Sequence, residues 1–283
     1  MNESSFESES GLKIAYRSWS PDTAARGVVL VVPGFNAHSG YYGWMADQLV
    51  ADGLAVYAID LRGRGRSDGE RFYVQEFDDY VSDVNGLFQI IKTENPGLPI
   101  IAFGHSAGGV VADLFALEHQ SELAGLICES FAFQVPAPDF VLAVLKGLAH
   151  VFPHAHVLKL KNEDFTRDQA ALAVMNGDPL IANESQPTQT VAAMVRADER
   201  LKKAFPEFTL PLLILHGTAD KATKPSGSQL FYDTAGSTDK TIKLYEGHYH
   251  DPLSDLGKEA VMADIRSWIN EHIQAQSSAG TSA

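Results

Sequence analysis

The sequence has a single cysteine, Cys128, so no disulfide bond can form within the chain. This cysteine ends the apolar run of residues 126–128, where a small, buried thiol is the expectation. A disulfide-held secreted scaffold is therefore excluded, and a hydrophobic core must stabilise the fold. With 283 residues, 45% of them hydrophobic, the chain can form one large domain with an insertion, or at most two domains.

Basic residues are few compared with acidic ones. The 22 lysines and arginines stand against 36 aspartates and glutamates, which gives a formal net charge of -14. Such an excess of negative charge argues against a nucleic-acid-binding surface and against electrostatic docking on anionic membranes. We therefore expect a neutral or apolar small molecule as the substrate.

Long apolar runs are also missing. No uninterrupted apolar segment approaches membrane-spanning length. The first residues are polar and acidic, without the basic and apolar regions of a secretory signal peptide. We expect a soluble, cytoplasmic protein, although a chain whose signal peptide had been removed would look the same.

Motifs for cofactors and metals are absent too. The Gly/Arg-rich residues 61–69 lack the P-loop and dinucleotide fingerprints, so Asp60 and the arginines are expected to stabilise a tight turn rather than bind phosphate. His150, His154 and His156 are close in sequence, but neither a cysteine nor HExxH-like spacing accompanies them. We expect no metal and no cofactor.

One short stretch carries a catalytic signal. The pattern Gly104-x-Ser106-x-Gly108 follows a buried-strand run and precedes a helical run. A sharp strand-to-helix turn of this kind lifts a serine above the sheet edge, and small neighbours let a substrate approach. Ser106 is the candidate nucleophile, and the N–H of Ala107 at the helix start is a candidate oxyanion donor. By itself the pattern also fits a simple strand-to-helix connection.

Strands and helices alternate around this turn. Residues 28–32 are a continuous β-branched and apolar run, typical of a central parallel strand covered on both faces, and residues 55–60 predict another buried strand. Residues 77–92 have apolar positions at helical spacing, and residues 12–19 alternate like a half-exposed edge strand. The first half therefore predicts an α/β fold with a parallel sheet and right-handed crossovers.

Between residues 130 and 208 the strand pattern gives way to helical patterns. A structureless loop of this length is improbable, so a helical insertion is expected. We predict a core of residues 1–130 and 209–274, a cap of residues 131–208, and a disordered tail over 275–283. The apolar residues 140–152 of the cap either pack on the core or form a lid face that meets micelles, membranes or apolar substrates.

An acid and a histidine follow Ser106 in the required order. Asp220 comes directly after the apolar strand of residues 211–216, and His248 and His250 follow the strand of residues 241–245. The order Ser, Asp, His, with each residue after its own strand, is that of an α/β-hydrolase triad. The histidine would take the serine proton, and the aspartate would fix its tautomer.

Further site candidates lie after other strands. The loop after residues 28–32 is where an α/β sheet holds ligand groups, so the N–H of Phe35 is the second expected oxyanion donor, with Asn36 next best. Asn36 and His38 are candidate substrate-binding residues. Glu129, just past its strand, is a candidate for recognising the alcohol part of the substrate, against a structural role.

The chain resembles the monoacylglycerol lipases, serine hydrolases of the α/β-hydrolase fold, over nearly its whole length. The family's histidine follows Glu-Gly-x-Tyr, which selects His250 and leaves His248 as the competing candidate. The stretches that carry the resemblance are residues 68–71, 95–99, 176–181, 217–220 and 239–247.

The chain departs from the family pattern around the expected oxyanion loop. Pro33 stands where the family usually has histidine, and the bulky Phe35 where it has a small residue. Ala37 replaces a common acidic residue, Tyr41 a common arginine, and Ala107 a common methionine. The backbone donors are retained, but the groups that would recognise glycerol differ.

The resemblance implies a serine esterase that cleaves neutral lipid monoesters, most closely monoacylglycerols, through an acyl-enzyme on Ser106. Lysophospholipase and carboxylesterase activity on short-chain, aromatic or xenobiotic esters remain alternatives, as does a ligand-binding protein without turnover. A dehalogenase or epoxide hydrolase would require aspartate at the elbow. The expected partner is a small ester or lipid, with transient membrane or micelle contact through the cap; the oligomeric state stays open.

Overall fold

The structure, a computed structural model, describes residues 1–135 and 139–280. The strands in these ranges are β1 (Asn2–Glu7), β2 (Lys13–Trp19), β3 (Val28–Val32), β4 (Ala55–Ile59), β5 (Ile100–His105), β6 (Gly125–Glu129), β7 (His156–Leu158), β8 (Gln186–Pro187), β9 (Leu212–Gly217) and β10 (Lys240–Tyr245). The helices are α1 (Gly43–Ala51), α2 (Phe77–Glu94), α3 (Ala107–His119), α4 (Asp139–Ala149), α5 (Gln169–Gly177), α6 (Thr188–Ala204), α7 (Pro225–Thr234) and α8 (Lys258–Gly280).

Eight strands form one sheet in the order β1-β2-β4-β3-β5-β6-β9-β10. β1 and β2 are antiparallel to their neighbours, and the pairings from β4 to β10 are parallel. The predicted β-α-β-α-β order and the parallel sheet are confirmed. Because β3, β5, β6, β9 and β10 run in the same direction, the loops that follow them lie at one edge.

Helices cover both faces of the sheet. Along β3, Val28, Leu30 and Val32 pack with α2 and α3, while Val29 and Val31 pack with α1 and α8. Every residue of β3 to β6 is buried. The continuous apolar runs in the sequence thus correspond to strands covered on both sides.

The N-terminal strand β1 was not predicted from the sequence. Residues 2–7 are mostly exposed, and a strand with one partner and a solvated face shows little hydrophobic alternation. Its register is set by pairing with β2, and Phe6 packs against Tyr16 with ring centroids 6.3 Å apart.

Two further differences concern the ends of predicted segments. The cap segment contains the antiparallel pair β7–β8 besides its helices. α8 continues to Gly280, beyond the predicted end at residue 273, so residues 275–280 of the predicted disordered tail are helical here. These residues include glutamine and alanine, which favour helix, and no proline. Residues 281–283 of that tail lie outside the described residues.

The Gly/Arg-rich loop after β4 is held by buried polar contacts. Asp60 accepts the N–H of Ser39 at 2.7 Å and of Arg66 at 2.8 Å. Arg62 pairs with Asp83 at 2.6 Å, and Arg64 pairs with Glu184 of the cap segment. These contacts agree with the expected stabilisation of a turn by Asp60 and the arginines.

Within the described ranges, no helix is both long enough and apolar enough to cross a membrane.

Candidate active site

Ser106 stands at the tip of the turn between β5 and α3. Its φ of 55° and ψ of -123° lie in a region that side-chain-bearing residues rarely adopt. Such a conformation costs on the order of 1–3 kcal/mol and persists only where the surroundings enforce it. This sharp strand-to-helix turn has the backbone geometry that the nucleophile-elbow pattern predicts.

Glycines make this turn sterically feasible. A Cβ atom on Gly108 would lie 2.2 Å from the carbonyl oxygen of Val32, and one on Gly104 would lie 2.6 Å from the oxygen of Gly108. A Cβ atom on Gly34 would lie 2.8 Å from Cβ of Ser106. The glycines therefore allow β3, β5 and α3 to approach closely at the point where Ser106 projects.

The structure brings Ser106, His250 and Asp220 into one hydrogen-bonded row. The Oγ of Ser106 lies 2.8 Å from Nε2 of His250, and Nδ1 of His250 lies 2.7 Å from Oδ2 of Asp220. Because a carboxylate only accepts, Nδ1–H donates to Asp220 and Nε2 is left to accept the serine proton. The row is enclosed, with Ser106 4% exposed and His250 fully buried.

Asp220 is held by more than His250. Its Oδ1 accepts the N–H groups of Ala222 and Thr223 at 2.7 and 3.0 Å, and Oδ2 accepts the Thr223 hydroxyl at 2.7 Å. Nε2 of His216 lies 2.9 Å from the same Oδ2. Burial opposes ionisation, but the facing imidazoles of His250 and His216 outweigh it and hold the pKa of Asp220 well below its usual range. The carboxylate is therefore fixed and charged.

The two expected oxyanion donors flank Ser106. Ala107 is the first residue of α3, and Phe35 follows Gly34 at the close approach to the elbow. Neither N–H group donates to a backbone acceptor in the described part of the chain. The Phe35 ring is 3% exposed and carries the Arg64 guanidinium 4.0 Å above its centroid, so its bulk is directed into the protein interior.

Asn36 and His38 contact the cap segment rather than open solvent. Asn36 has a φ of 53°, and its Nδ2 donates to Oδ1 of Asn162 at 2.9 Å. His38 Nε2 lies 2.8 Å from Oδ2 of Asp178, which also accepts the Tyr41 hydroxyl at 2.8 Å. Both candidates thus lie at the contact between the loop after β3 and the cap segment.

Glu129 is fully buried, and its carboxyl has no surface through which a substrate in this arrangement could be contacted. Its Oε1 accepts the N–H of Leu253 at 3.1 Å, and Oε2 has no partner among the described residues. In this arrangement the Glu129 carboxyl makes an interior contact with the loop after β10, and its role as the alcohol-binding candidate stays a prediction. Side-chain atoms of Glu129, His105 and Asp251 lie within 4.8 Å of one another, the one metal-compatible group among the described residues.

Other candidates from the sequence lie elsewhere. His248 is not joined to Ser106; its ring packs on Tyr245 with centroids 5.5 Å apart. His154 lies 2.8 Å from Glu70, and His156 lies 2.7 Å from the Ser185 hydroxyl. Cys128 is buried, and its thiol donates to Asp113 at 2.9 Å.

Comparison with known proteins shows the family of this chain. The model of the family described as serine aminopeptidase, S33, matches residues 23–257. The chain is 33% identical over 276 residues to a monoacylglycerol lipase of Mycolicibacterium smegmatis, covering 96% of this chain and 98% of that one. It is 32% identical over 270 residues to the human monoglyceride lipase, covering 94% and 88% of the two chains.

A solved structure agrees. The crystal structure of Paleococcus ferrophilus monoacylglycerol lipase superposes with a TM-score of 0.82 at 28% identity, covering 91% of this chain and 99% of that chain. The chain belongs to the monoacylglycerol lipase-like serine hydrolases. The α/β-hydrolase fold and the classification as a serine ester hydrolase, both expected from the sequence, are confirmed.

In this lipase-like hydrolase, sequence reasoning missed three groups that contact the candidate triad. His216 and Thr223 both contact Oδ2 of Asp220, and the ring of Phe165, from the cap segment, lies edge-on to His250 at 4.8 Å. For His216 the signal was its place at the end of β9, four positions before Asp220. For Phe165 no sequence signal was present, because its contact depends on how the cap segment folds back.

Proposed function

We propose that this hydrolase cleaves monoacylglycerols or closely related neutral lipid monoesters, with Ser106 as nucleophile, His250 as general base and acid, and Asp220 as its orienting acid. The observation that carries the proposal is the row Ser106–His250–Asp220, with distances of 2.8 and 2.7 Å. A serine hydroxyl is a weak nucleophile at neutral pH unless a neighbouring base takes its proton. The relatives named monoacylglycerol lipase support the substrate class.

In the proposed reaction, Ser106 Oγ attacks the ester carbonyl while His250 Nε2 takes its proton. The N–H groups of Phe35 and Ala107 would donate to the oxyanion, a contribution worth about a hundredfold or more in rate for one donor. Collapse of the intermediate breaks the ester C–O bond, and His250 returns the proton to the leaving alcohol. Water activated by the same imidazole then releases the fatty acid and restores Ser106.

For the acyl chain we propose the cavity between α4, α6 and the segment after β6. It has a volume of about 620 Å³; Phe133, Leu142 and Val195 supply apolar walls, and lysine, aspartate and glutamate side chains line the rest. The segment that lines it begins beside the nucleophile, since the N–H of Ala132 donates to the Ser106 carbonyl at 3.3 Å. An acyl chain esterified to Ser106 would therefore have the apolar part of this cavity close to it, with the charged part facing away from the chain.

We also propose that residues 131–208 act as the cap, and that α4 is the part that meets a lipid surface. Phe140, Val144 and Leu148, spaced four residues apart on α4, are 71, 57 and 40% exposed. This spacing places them on one helix face. Such an exposed apolar face fits contact with zwitterionic lipid or a micelle, whereas the charge of -14 disfavours an anionic surface.

A carboxylesterase acting on esters of other alcohols is the second candidate. It is favoured by Ala37 and Tyr41, which stand where the family commonly has an acidic residue and an arginine. The Tyr41 hydroxyl is already bound to Asp178 at 2.8 Å. The alcohol part of the substrate would then meet different groups from those of a typical family member.

A hydrolysis panel tests the proposal. The purified protein and Ser106→Ala are assayed on monoacylglycerols of several chain lengths, lysophospholipids and aryl esters. We expect Ser106→Ala to lose essentially all turnover and the unaltered protein to prefer monoacylglycerols. Retained activity in Ser106→Ala would contradict the mechanism, and a preference for aryl or short esters would favour the second candidate.

A further inference from the structure

The fully buried Glu129 connects the two halves of the proposed catalytic row. Its backbone carbonyl accepts the N–H of Ser106 at 2.9 Å, and its side-chain Oε1 accepts the N–H of Leu253 at 3.1 Å. Leu253 follows His250 closely in the loop after β10. One residue at the end of β6 therefore contacts both the nucleophile turn and the histidine loop.

A second contact runs beside the first. Nε2 of His105, the residue before Ser106, lies 3.3 Å from the carbonyl oxygen of His250. His105 is paired with Glu129 in the β5–β6 register. The loop after β10, which holds His250, is thus hydrogen-bonded to the ends of the adjacent strands β5 and β6. Of these two contacts, only the one from Glu129 uses an ionisable acid.

The groups that face Glu129 are acidic or neutral. Asp251 and His105 approach it within 4.8 Å. A charge on Glu129 would also raise the pKa of the phenols of Tyr42, at the start of α1, and of Tyr245, on β10. No lysine or arginine is paired with Glu129 in the described residues. Burial, then the charge of Asp251, raise the pKa of Glu129 well above its usual range, although the Leu253 N–H opposes this.

We propose that Glu129 is a positioning residue for His250: by accepting the Leu253 N–H, its side-chain carboxyl holds the loop after β10 against the nucleophile elbow. This inference rests on the proposed function, because the role of His250 does. The neutral acid accepts the Leu253 N–H without adding a second charge beside Asp251. Ionisation would place two carboxylates within 4.8 Å of each other, one fully and one partly buried, and their repulsion would displace the loop.

Three variants separate this role from a general contribution to packing. Glu129→Gln keeps an acceptor for the Leu253 N–H and cannot ionise, so we expect kcat near that of the unaltered protein. Glu129→Leu leaves a buried donor unpaired, so we expect kcat to fall about 10- to 100-fold with KM little changed. Glu246→Gln, on the exposed start of the same loop, is the matched control and should change neither.

The pH profile provides the readout that packing alone would not move. In the unaltered protein, kcat should decline at alkaline pH as Glu129 ionises, and Glu129→Gln should lack this decline. Asp251→Asn removes the facing charge, so the decline should move to lower pH. Because the pKa of Glu129 is raised on folding, its stabilising contribution is complete below the pKa of the unfolded chain and is lost as pH rises through the folded value.

Opposite results would overturn the proposal. Folded Glu129→Leu with the kcat of the unaltered protein would do so, and so would an equal loss of kcat in Glu129→Gln and Glu129→Leu. A stoichiometric divalent metal in the purified protein would also do so, because it would assign the cluster of acids to a cation. Folding is checked by near-UV circular dichroism. A failure of the proposed function itself is distinguishable, because the unaltered protein would then neither turn over esters nor react with a fluorophosphonate probe at Ser106.

Discussion

Nε2 of His216 lies 2.9 Å from Oδ2 of Asp220, the same oxygen that faces Nδ1 of His250 at 2.7 Å. One carboxylate oxygen therefore serves two imidazoles, both buried. His216 is further fixed by the Ser228 hydroxyl, 2.7 Å from its Nδ1. Burial lowers the pKa of His216, so it acts as a neutral donor that orients Asp220.

The first prediction concerns this second histidine. His216→Phe retains a ring of similar size and removes the donor to Asp220. Hydrogen bonds to charged groups contribute about 1.5–3 kcal/mol, so we expect kcat/KM to fall about 10- to 100-fold. Steady-state kinetics on a soluble ester measures this. Ser228→Ala is the milder control, and a His216→Phe enzyme with unaltered kcat/KM would contradict the orienting role.

The second prediction concerns Asp220. Asp220→Asn preserves shape but can present an N–H to His250, which favours the wrong tautomer; we expect kcat to fall about 10⁴-fold. The depressed pKa of Asp220 also stabilises the fold above the pKa of the unfolded chain, and this contribution is lost as pH falls through the folded value. Urea unfolding of the two proteins from neutral to acid pH should therefore show that the free energy of unfolding decreases less in Asp220→Asn than in the unaltered protein. An equal decrease in both proteins would contradict the stabilising role of the Asp220 charge.

The sequence predicted the parts of this site that strand order determines. Ser106, Asp220 and His250 each follow a strand of a parallel sheet, and such loops meet at one edge, so their proximity could be anticipated. The contacts of Glu129 and Phe165 could not, because they depend on side-chain direction and on how distant segments pack. The strand β1 could not be predicted for a different reason: its residues are mostly exposed and carry no hydrophobic alternation.

The third prediction tests the close approach of two loops. A Cβ atom on Gly34 would lie 2.8 Å from Ser106 Cβ and from the backbone oxygen of His105, so the elbow or the oxyanion loop must shift. We expect Gly34→Ala to destabilise the fold by about 1–3 kcal/mol and to lower kcat about a hundredfold through misplacement. Gly43→Ala, whose added Cβ meets open space at the start of α1, is the control. Similar kinetics in both variants would argue against the constraint.

The fourth prediction concerns the buried contact between the core and the cap segment. The Arg64 guanidinium pairs with Glu184 and donates to Gln186 at 2.7 Å. Arg64→Met would leave the Glu184 carboxylate buried without a cation, with only the Gln186 amide donating to it, a loss of about 3–5 kcal/mol in the free energy of unfolding. The double variant Arg64→Met/Glu184→Leu should recover much of it. If the losses in the free energy of unfolding of the two single variants simply add in the double variant, measured by chemical denaturation, the two residues act independently.

The fifth prediction concerns the exposed apolar face of α4. Fully burying a side chain such as Phe140 contributes about 1.5–3 kcal/mol, so three of them supply enough free energy for reversible adsorption to lipid. We expect Phe140→Ser/Val144→Ser/Leu148→Ser to reduce hydrolysis of substrate held in zwitterionic vesicles about tenfold or more, while hydrolysis of a soluble short-chain ester is unchanged. Leu244→Ser, at a side chain that is 46% exposed on β10, is the matched control.

Co-sedimentation with vesicles measures adsorption directly. Equal losses on soluble and vesicle-held substrates would instead assign α4 to the acyl cavity, because its residue Leu142 lines that cavity and a displaced helix would impair both reactions alike.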